Sequence, residues 1–172
     1  MDGRPLTPVS DVAIRSLGLA DIEQFQRMTD LVMRERAYLA YVEGFPIDEA
    51  AQFVARNVKL GNPQFAAVDG EQLVGWCDIR RDTIPVYAHS GMLGMGLLPD
   101  YRGRGIGERL IHATIDAARD AGFERIELSV YAKNVRAAAL YRRVGFVLEG
   151  TRVRGKKLDD DYDDVHMMAL LL

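Results

Sequence analysis

One cysteine, no long apolar run and three scattered histidines set the first limits on this chain. Cys77 is the only cysteine among 172 residues, which excludes an intramolecular disulfide and a cysteine-based zinc site. His89, His112 and His166 show no metal-ligand spacing, so no metal is expected. No apolar stretch approaches the roughly 18–20 residues of a membrane-crossing helix, so no membrane partner is expected. Residues 1–10 lack the apolar core of a signal peptide and read as a loose leading segment. Cytoplasm is the expected compartment.

What is present suits a single folded unit over residues 1–172. Apolar residues make up 48% and charged residues 27%, enough of each for one core under a solvated surface. Net charge is −3, and five acids crowd into residues 159–164. Without those five, basic residues would slightly outnumber acidic ones, so the acidity is local. It reads as a solvated hairpin loop. It favours a cationic partner only mildly and gives no support to nucleic-acid binding.

Periodicity gives the order β-α-α-β-β-β-α-β-α-β-β. Residues 12–16 read as a strand. A helix follows from about Ala20, with Ile22, Phe25, Met28, Leu31 and Val32 as its apolar stripe. Asp48 is placed as the N-cap of a second helix over 49–59, which Gly61 and Pro63 stop. Strands over 64–68 and 73–80 flank the turn signal Asp69-Gly70. A polar connection over 81–90 leads to a strand over 92–98. A broad apolar face predicts a helix over 105–121, ended by Gly122. Strand 125–131 and a helix from Asn134 to Val144 follow, and strands 146–153 and 165–171 close the chain. The unit over 92–131 has crossover length, so its two strands should be parallel.

The run Arg102-Gly-Arg-Gly-Ile-Gly107 carries the chemistry. It lies between Pro99 and a helix start. Gly103, Gly105 and Gly107 keep Cβ atoms out of the way and allow left-handed backbone angles. Free N–H groups and a helix N-terminus then point at one place, with Arg102 and Arg104 beside it, and such a place holds phosphate. It is not a Walker loop, since Glu108 follows the last glycine. It is a poor dinucleotide fingerprint, since Glu108 stands where a third glycine belongs.

Arg102-x-x-Gly105-x-Gly107, after a strand and Pro99-Asp100-Tyr101, resembles the acyl-CoA-binding signature of the GNAT N-acetyltransferases. Asn134-Val-Arg-Ala-Ala-Ala-Leu-Tyr-Arg-Arg-Val-Gly-Phe146 resembles a later motif of the same superfamily. The resemblance implies a mixed α/β fold, with a central, mostly antiparallel sheet flanked by helices. One parallel strand pair would splay apart to admit acetyl-CoA. Main-chain groups of Met95, Gly96 and Leu97 would pair with the pantetheine arm. Residues Arg102, Gly103, Arg104, Gly105, Ile106 and Gly107 would hold the pyrophosphate. Asn134 would bond the pantetheine arm, and Arg143 is a candidate for the 3′-phosphate, with a solvated helix arginine as the alternative. Gly94 and Gly96 would mark the bulge that opens the cleft.

The reaction implied is acetyl transfer to a primary amine by direct attack on the thioester. A main-chain N–H near Leu97 would meet the developing oxyanion. Tyr141 matches the family's general acid, for a phenol can protonate a departing thiolate. The base stays open among Ser129, Glu127, His89 and a water chain. Trp76 and Cys77 read as core, and Asp78 reads as a salt-bridge residue that could line the acceptor site. Glu35, Glu43 and Tyr162 are the acceptor-recognition candidates. The acceptor is expected to be a small-molecule amine, with a protein N-terminus or lysine as second choice. A non-catalytic acyl-CoA-binding sensor is the rival reading, and a homodimer is possible through the apolar final strand. A loop across the cleft would favour a small molecule, and an open groove would favour a peptide.

Overall fold

One long strand, buried on both faces, organises the molecule. In the computed structural model, which describes residues 11–172, strand β3 (Gln72–Arg81) is buried on both faces over most of its length. It sends Val74, Cys77 and Ile79 into one core and Leu73 and Trp76 into another. Successive strand side chains point to opposite faces, so a strand with two apolar sets needs cover on both sides. The proposed leading segment 1–10 lies outside the described residues.

Around β3 stand β1 (Ala13–Ser16), β2 (Gln64–Asp69), β4 (Ser90–Leu97), β5 (Arg125–Tyr131), β6 (Val147–Leu158) and β7 (Asp161–Leu171), in the order β1-β2-β3-β4-β5-β7-β6. All neighbours are antiparallel except β4 and β5. That parallel pair is the crossover expected around the glycine-rich turn.

Two helices cover each face. On one lie α3 (Ile106–Asp120) and α4 (Val135–Val144), on the other α1 (Ile22–Arg34) and α2 (Ile47–Leu60). Helix α3 buries Ile106, Leu110, Ile111, Ile115 and Ala118 as one stripe. Each large side chain among them contributes about 1.5–3 kcal/mol by leaving water. Gly122, at φ 75°, ends the helix by donating to Arg119 O, while Phe123 N–H returns to Ala118 O. Helix α4 starts where Asn134 Oδ1 accepts from Ala137 N at 3.2 Å, and it stops at Gly145, φ 109°.

Four expectations need correction. Helix α2 begins at Ile47 with Pro46 at the cap position, so Asp48 is not the cap. It lies in the first turn, where a carboxylate still meets the helix's positive end. Leu31 leaves the stripe of α1 and is exposed, while Phe25, Met28, Thr29, Val32 and Met33 are buried.

The acidic run is not a loop. Only Asp159 and Asp160 turn, both at positive φ, and Asp161 to Asp164 continue as strand. Nearby donors make this possible. Lys157 pairs with Asp160, Lys133 pairs with Asp161, Lys133 N–H lies 3.3 Å from Asp163 Oδ1, and Arg154 N–H donates to Asp164 at 2.7 Å.

The fourth correction concerns Gly94 and Gly96, which mark no bulge. The β3–β4 register runs unbroken from Gly75↔Leu97 to Arg81↔Gly91. A Cβ at Gly96 would stand 2.3 Å from the Trp76 ring, and one at Gly94 would stand 3.2 Å from Asp78 Oδ1. These glycines let side chains from β3 cross over β4.

Candidate active site

Strands β4 and β5 share only three rungs, Ser90↔Arg125, Gly91↔Ile126 and Met92↔Glu127. Beyond Met92 they part. Strand β4 stays bonded to β3 as far as Leu97, and β5 stays bonded to β7 as far as Tyr131. The facing edges of residues 93–97 and 128–131 therefore have no partner strand. Burial reflects the gap, for Gly94, Met95, Gly96 and Leu97 are partly exposed although β4 is central in the sheet. An extended ligand with amide groups can add to such an edge as a strand would.

Beyond the open end of β4 lies the glycine-rich turn. Gly103 and Gly105 have φ of 71° and 78°, and Gly105 is the cap residue of α3. The first bond into the helix runs from Arg109 N to Gly105 O at 3.2 Å. The N–H groups of Gly103, Gly105, Ile106 and Gly107 meet no acceptor among the described residues. Gly107 also brings helix and strand together, since a Cβ there would stand 3.2 Å from Leu97 and 3.6 Å from Met95. Free donors at a helix N-terminus, next to an unpaired strand edge, fit a phosphate-bearing cofactor with an amide-containing arm.

The arginines of this turn are less free than the sequence suggests. Arg102 donates through Nη1 and Nη2 to the two Glu35 oxygens at 2.7 and 2.5 Å. Its Nε donates to Leu97 O at 2.8 Å, and its guanidinium lies 4.9 Å from the Tyr38 ring. Arg104 reaches back to Asp100 O and lies over Tyr101. Arg143 is paired with Glu108 at 3.3 Å across α3 and α4. Arg136, in the first turn of α4, brings Nη1 to 3.8 Å from where a Gly103 Cβ would be. It has no partner among the described residues.

Tyr141 projects from α4 into the core, 8% exposed, with the Phe146 ring at 5.9 Å. Burial and then the nearby Cys77 push its phenol well above the usual range. Cys77 pairs with Met95, so Tyr141 stands beside the gap, past the last parallel rung. Its hydroxyl makes no hydrogen bond among the described residues, yet Asp78 Oδ2 is the one enclosed and unbonded side-chain oxygen there. Asn134 spends its oxygen on capping α4, which leaves its amide N–H₂ to donate. Burial also raises the Cys77 thiol far up, so it stays protonated and inert.

The opposite face of the gap belongs to α1 and α2. There Arg80, Met92 and Glu127 form one row across β3, β4 and β5. This row lines a cavity of about 410 Å³ together with Phe53, Arg56 and Asp82. Asp78, 2% exposed, accepts from Trp76 Nε1 at 3.1 Å. Its other oxygen lies 3.2 Å from Arg80 Nε without hydrogen-bond geometry. Burial first, against the pull of Arg80 and Trp76, raises its carboxyl to about 6.

A family model described as the acetyltransferase (GNAT) family matches residues 25–146. The chain belongs to this family. The GNAT match runs from within α1 to the second residue after α4, so it includes the gap, the turn, Asn134 and Tyr141, and leaves out the β6–β7 hairpin. The N-alpha-acetyltransferase RimI of Mycobacterium tuberculosis is 38% identical over 104 residues, covering 58% of this chain and 63% of that protein. The uncharacterized N-acetyltransferase YdgE of Bacillus subtilis is 28% identical over 86 residues, covering 50% and 55%. The chain thus spans about half the length of the curated relatives it matches. Among solved structures, a GNAT acetyltransferase from Streptococcus pneumoniae superposes with TM-score 0.88 at 24% identity, covering 94% of this chain and 99% of that one. A phosphinothricin acetyltransferase from Sinorhizobium meliloti in complex with AcCoA gives TM-score 0.88 at 19% identity, covering 94% and 89%. These likenesses establish the shared fold.

Within this GNAT fold the sequence-predicted residues divide into two groups. Met95, Gly96, Leu97, the turn from Arg102 to Gly107, Asn134 and Tyr141 surround the gap. Glu35 is held by Arg102, and Glu43 lies on the α1–α2 connection, where its charge is felt by Arg34. The Tyr162 ring is covered by Arg154 at 3.7 Å and Lys157 at 5.5 Å. Of the candidate bases, Ser129 and His89 are exposed, and Glu127 is bonded to Arg125 at 2.7 Å. Two contributors were not singled out from sequence, Arg136 and Arg80. The signal for Arg136 was its place in the first turn after the Asn134 cap. Arg80 had only its period-two spacing from Asp78.

Proposed function

We propose that this protein transfers an acetyl group from acetyl-CoA to the primary amine of a small molecule. The unpaired edge of β4, leading into the free N–H groups of the glycine-rich turn, carries this reading. Acetyl-CoA supplies the thioester that the amine attacks. Residues 93–97 orient its arm along β4, and the turn from Gly103 to Gly107 receives the pyrophosphate. Arg136 adds charge there, and Arg102 acts mainly by holding the turn against Glu35.

As the new N–C bond forms and the C–S bond breaks, Tyr141 gives its proton to the departing sulfur. A phenol is fully protonated at neutral pH, so the proton is there to give. The nitrogen's proton passes to water in the cavity beside Glu127.

A small acceptor is favoured by one contact. Arg36, on the connection after α1, forms an ion pair with Asp159 at the tip of the β6–β7 hairpin. The two segments are 123 residues apart in sequence and are tied together by this pair. Such an arch leaves less room for a polypeptide than an open groove would. The final strand β7 lies between β5 and β6 and offers no free edge, so a homodimer belongs to this reading through the edge strand β6 instead, where Val147, Leu148 and Val153 are exposed. Sedimentation at micromolar concentration tests it.

The deciding experiment is thiol release from acetyl-CoA across a panel of amines, with coenzyme A titrated calorimetrically in parallel. Turnover of a small amine is the expected result. Saturable coenzyme binding with no turnover would favour the sensor reading, and no binding would remove the cofactor assignment.

A further inference from the structure

We propose that the cavity between α2 and the β3–β5 surface takes an acceptor with a carboxylate beside its amine, held by the Arg80 guanidinium. This rests on the acetyl-transfer reading for its chemistry, but the cavity's own features select the acceptor.

Arg80 stands one strand from Met92, whose rung with Glu127 is the last before β4 and β5 part. Its Nη2 lies 3.9 Å from where a Cβ of Gly94 would be. Gly94 is the first β4 residue on this face past that rung. The guanidinium therefore covers the start of the gap. It is oriented from two sides, by Asp78 beneath its Nε and by the Phe53 ring at 5.8 Å. Both Nη atoms lack a hydrogen-bond acceptor among the described residues, and the side chain is half exposed to the cavity.

Asp78 explains this arrangement. A buried carboxylate with one unbonded oxygen beside a single Nε anchors an arginine without filling its fork. A planar fork with free Nη atoms matches a carboxylate. The acids on the same cavity wall are already engaged. Glu127 is bonded to Arg125, and Asp82 accepts from Ile84 N–H at 2.8 Å. Arg81 is spent on Ala88 O and Ala121 O. Arg56, across the cavity on α2, has no partner among the described residues and adds a second positive group. An amino acid carries amine and carboxylate on one carbon. With the carboxylate on Arg80, over Gly94, the amine comes to the mouth of the strand gap. A volume of about 410 Å³ accommodates a molecule of that size.

The test compares the common protein amino acids with their carboxamides as acceptors, read by thiol release. The best acid should exceed its carboxamide about tenfold or more in kcat/KM, the scale of a charge-assisted contact. Intrinsic reactivity works against this outcome, because the carboxamide's amine is less basic and more often neutral. Arg80→Lys keeps a cation over Asp78 but removes the fork. Arg56→Ala removes an exposed side chain that has no partner among the described residues. Each should raise the KM of the acids more than that of the carboxamides and leave the KM for acetyl-CoA unchanged. Carboxamides used as well as acids, or discrimination retained in both variants, would overturn the proposal. Calorimetric titration of the same acids into protein holding coenzyme A separates the two readings. Acids that bind without turnover keep the cavity assignment and sink acetyl transfer. If other amines are acetylated while no acid binds or reacts, the cavity assignment falls alone.

Discussion

Arg102 and Glu35 lock together across the open end of the strand gap, with both Nη atoms on both carboxylate oxygens. Their side chains are 16% and 25% exposed, so solvent screens the pair only in part. The pair joins the glycine-rich turn to the end of α1. Glu35→Gln should cost about 1–2 kcal/mol, a fall of roughly 2–8 °C in Tm for a chain of this size. Coenzyme A affinity should not fall, because the substitution frees a cation near the glycine-rich turn. Differential scanning calorimetry and a coenzyme titration check both halves. A large loss of affinity at unchanged Tm would contradict this role.

Tyr141→Phe removes a hydroxyl that has no hydrogen bond to lose among the described residues. Stability should barely change, and kcat should fall about 10²-fold or more, within the range for loss of a general acid. The Kd for coenzyme A should stay within about twofold, on the standing scale of a contact worth little. A variant of full activity would remove Tyr141 from the reaction.

Arg136→Ala should weaken coenzyme A binding about fivefold, the scale of one charge-assisted contact at a solvated site. The dependence of Kd on salt should also flatten. Arg143→Ala is the contrast, since Glu108 already pairs that guanidinium, and its effect should be smaller. Equal effects of the two would show that Arg136 has no special place at the turn.

Asp78 makes stability depend on pH in the less common direction. Its folded carboxyl is raised to about 6, whereas an unfolded aspartate titrates near 3.9. Between about pH 4 and pH 6 the folded chain keeps a proton that the unfolded chain gives up. This group's contribution is therefore greatest below about pH 4 and is lost as pH rises to 6. Relative to Asp78→Asn, the wild type should lose on the order of 1–3 kcal/mol across that window. Urea midpoints at several pH values read the difference, and a gap that stays constant would count against the raised carboxyl.

Much of the fold was legible because it is local. The apolar stripe of α3, the alternation of β5 and the glycines at 122 and 145 each concern residues within a turn or two of one another. The glycine-rich turn was legible for the same reason. Pairings between distant segments were not. Glu35 and Arg102 are 67 residues apart, and no spacing rule announces that one will occupy the other. The acids of residues 159–164 looked like a loop because their counter-charges come from β6 and from Lys133. Gly94 and Gly96 looked like a bulge because the side chains crossing them, Asp78 and Trp76, belong to another strand. Arg80 went unmarked because only folding puts its guanidinium over the place where β4 and β5 part.

The five residues of β4 beyond Met92 keep a row of amides and carbonyls without a partner strand in the middle of a sheet, with only Leu97 O taken, by Arg102 Nε. Any molecule that settles there completes the sheet and lowers the free energy of the folded state alone, by an amount that grows with its concentration. The chain's resistance to heat, to proteases and to exchange of those amides should then rise and fall with metabolite supply. A protein purified to dryness of small molecules would be the shortest-lived version of itself.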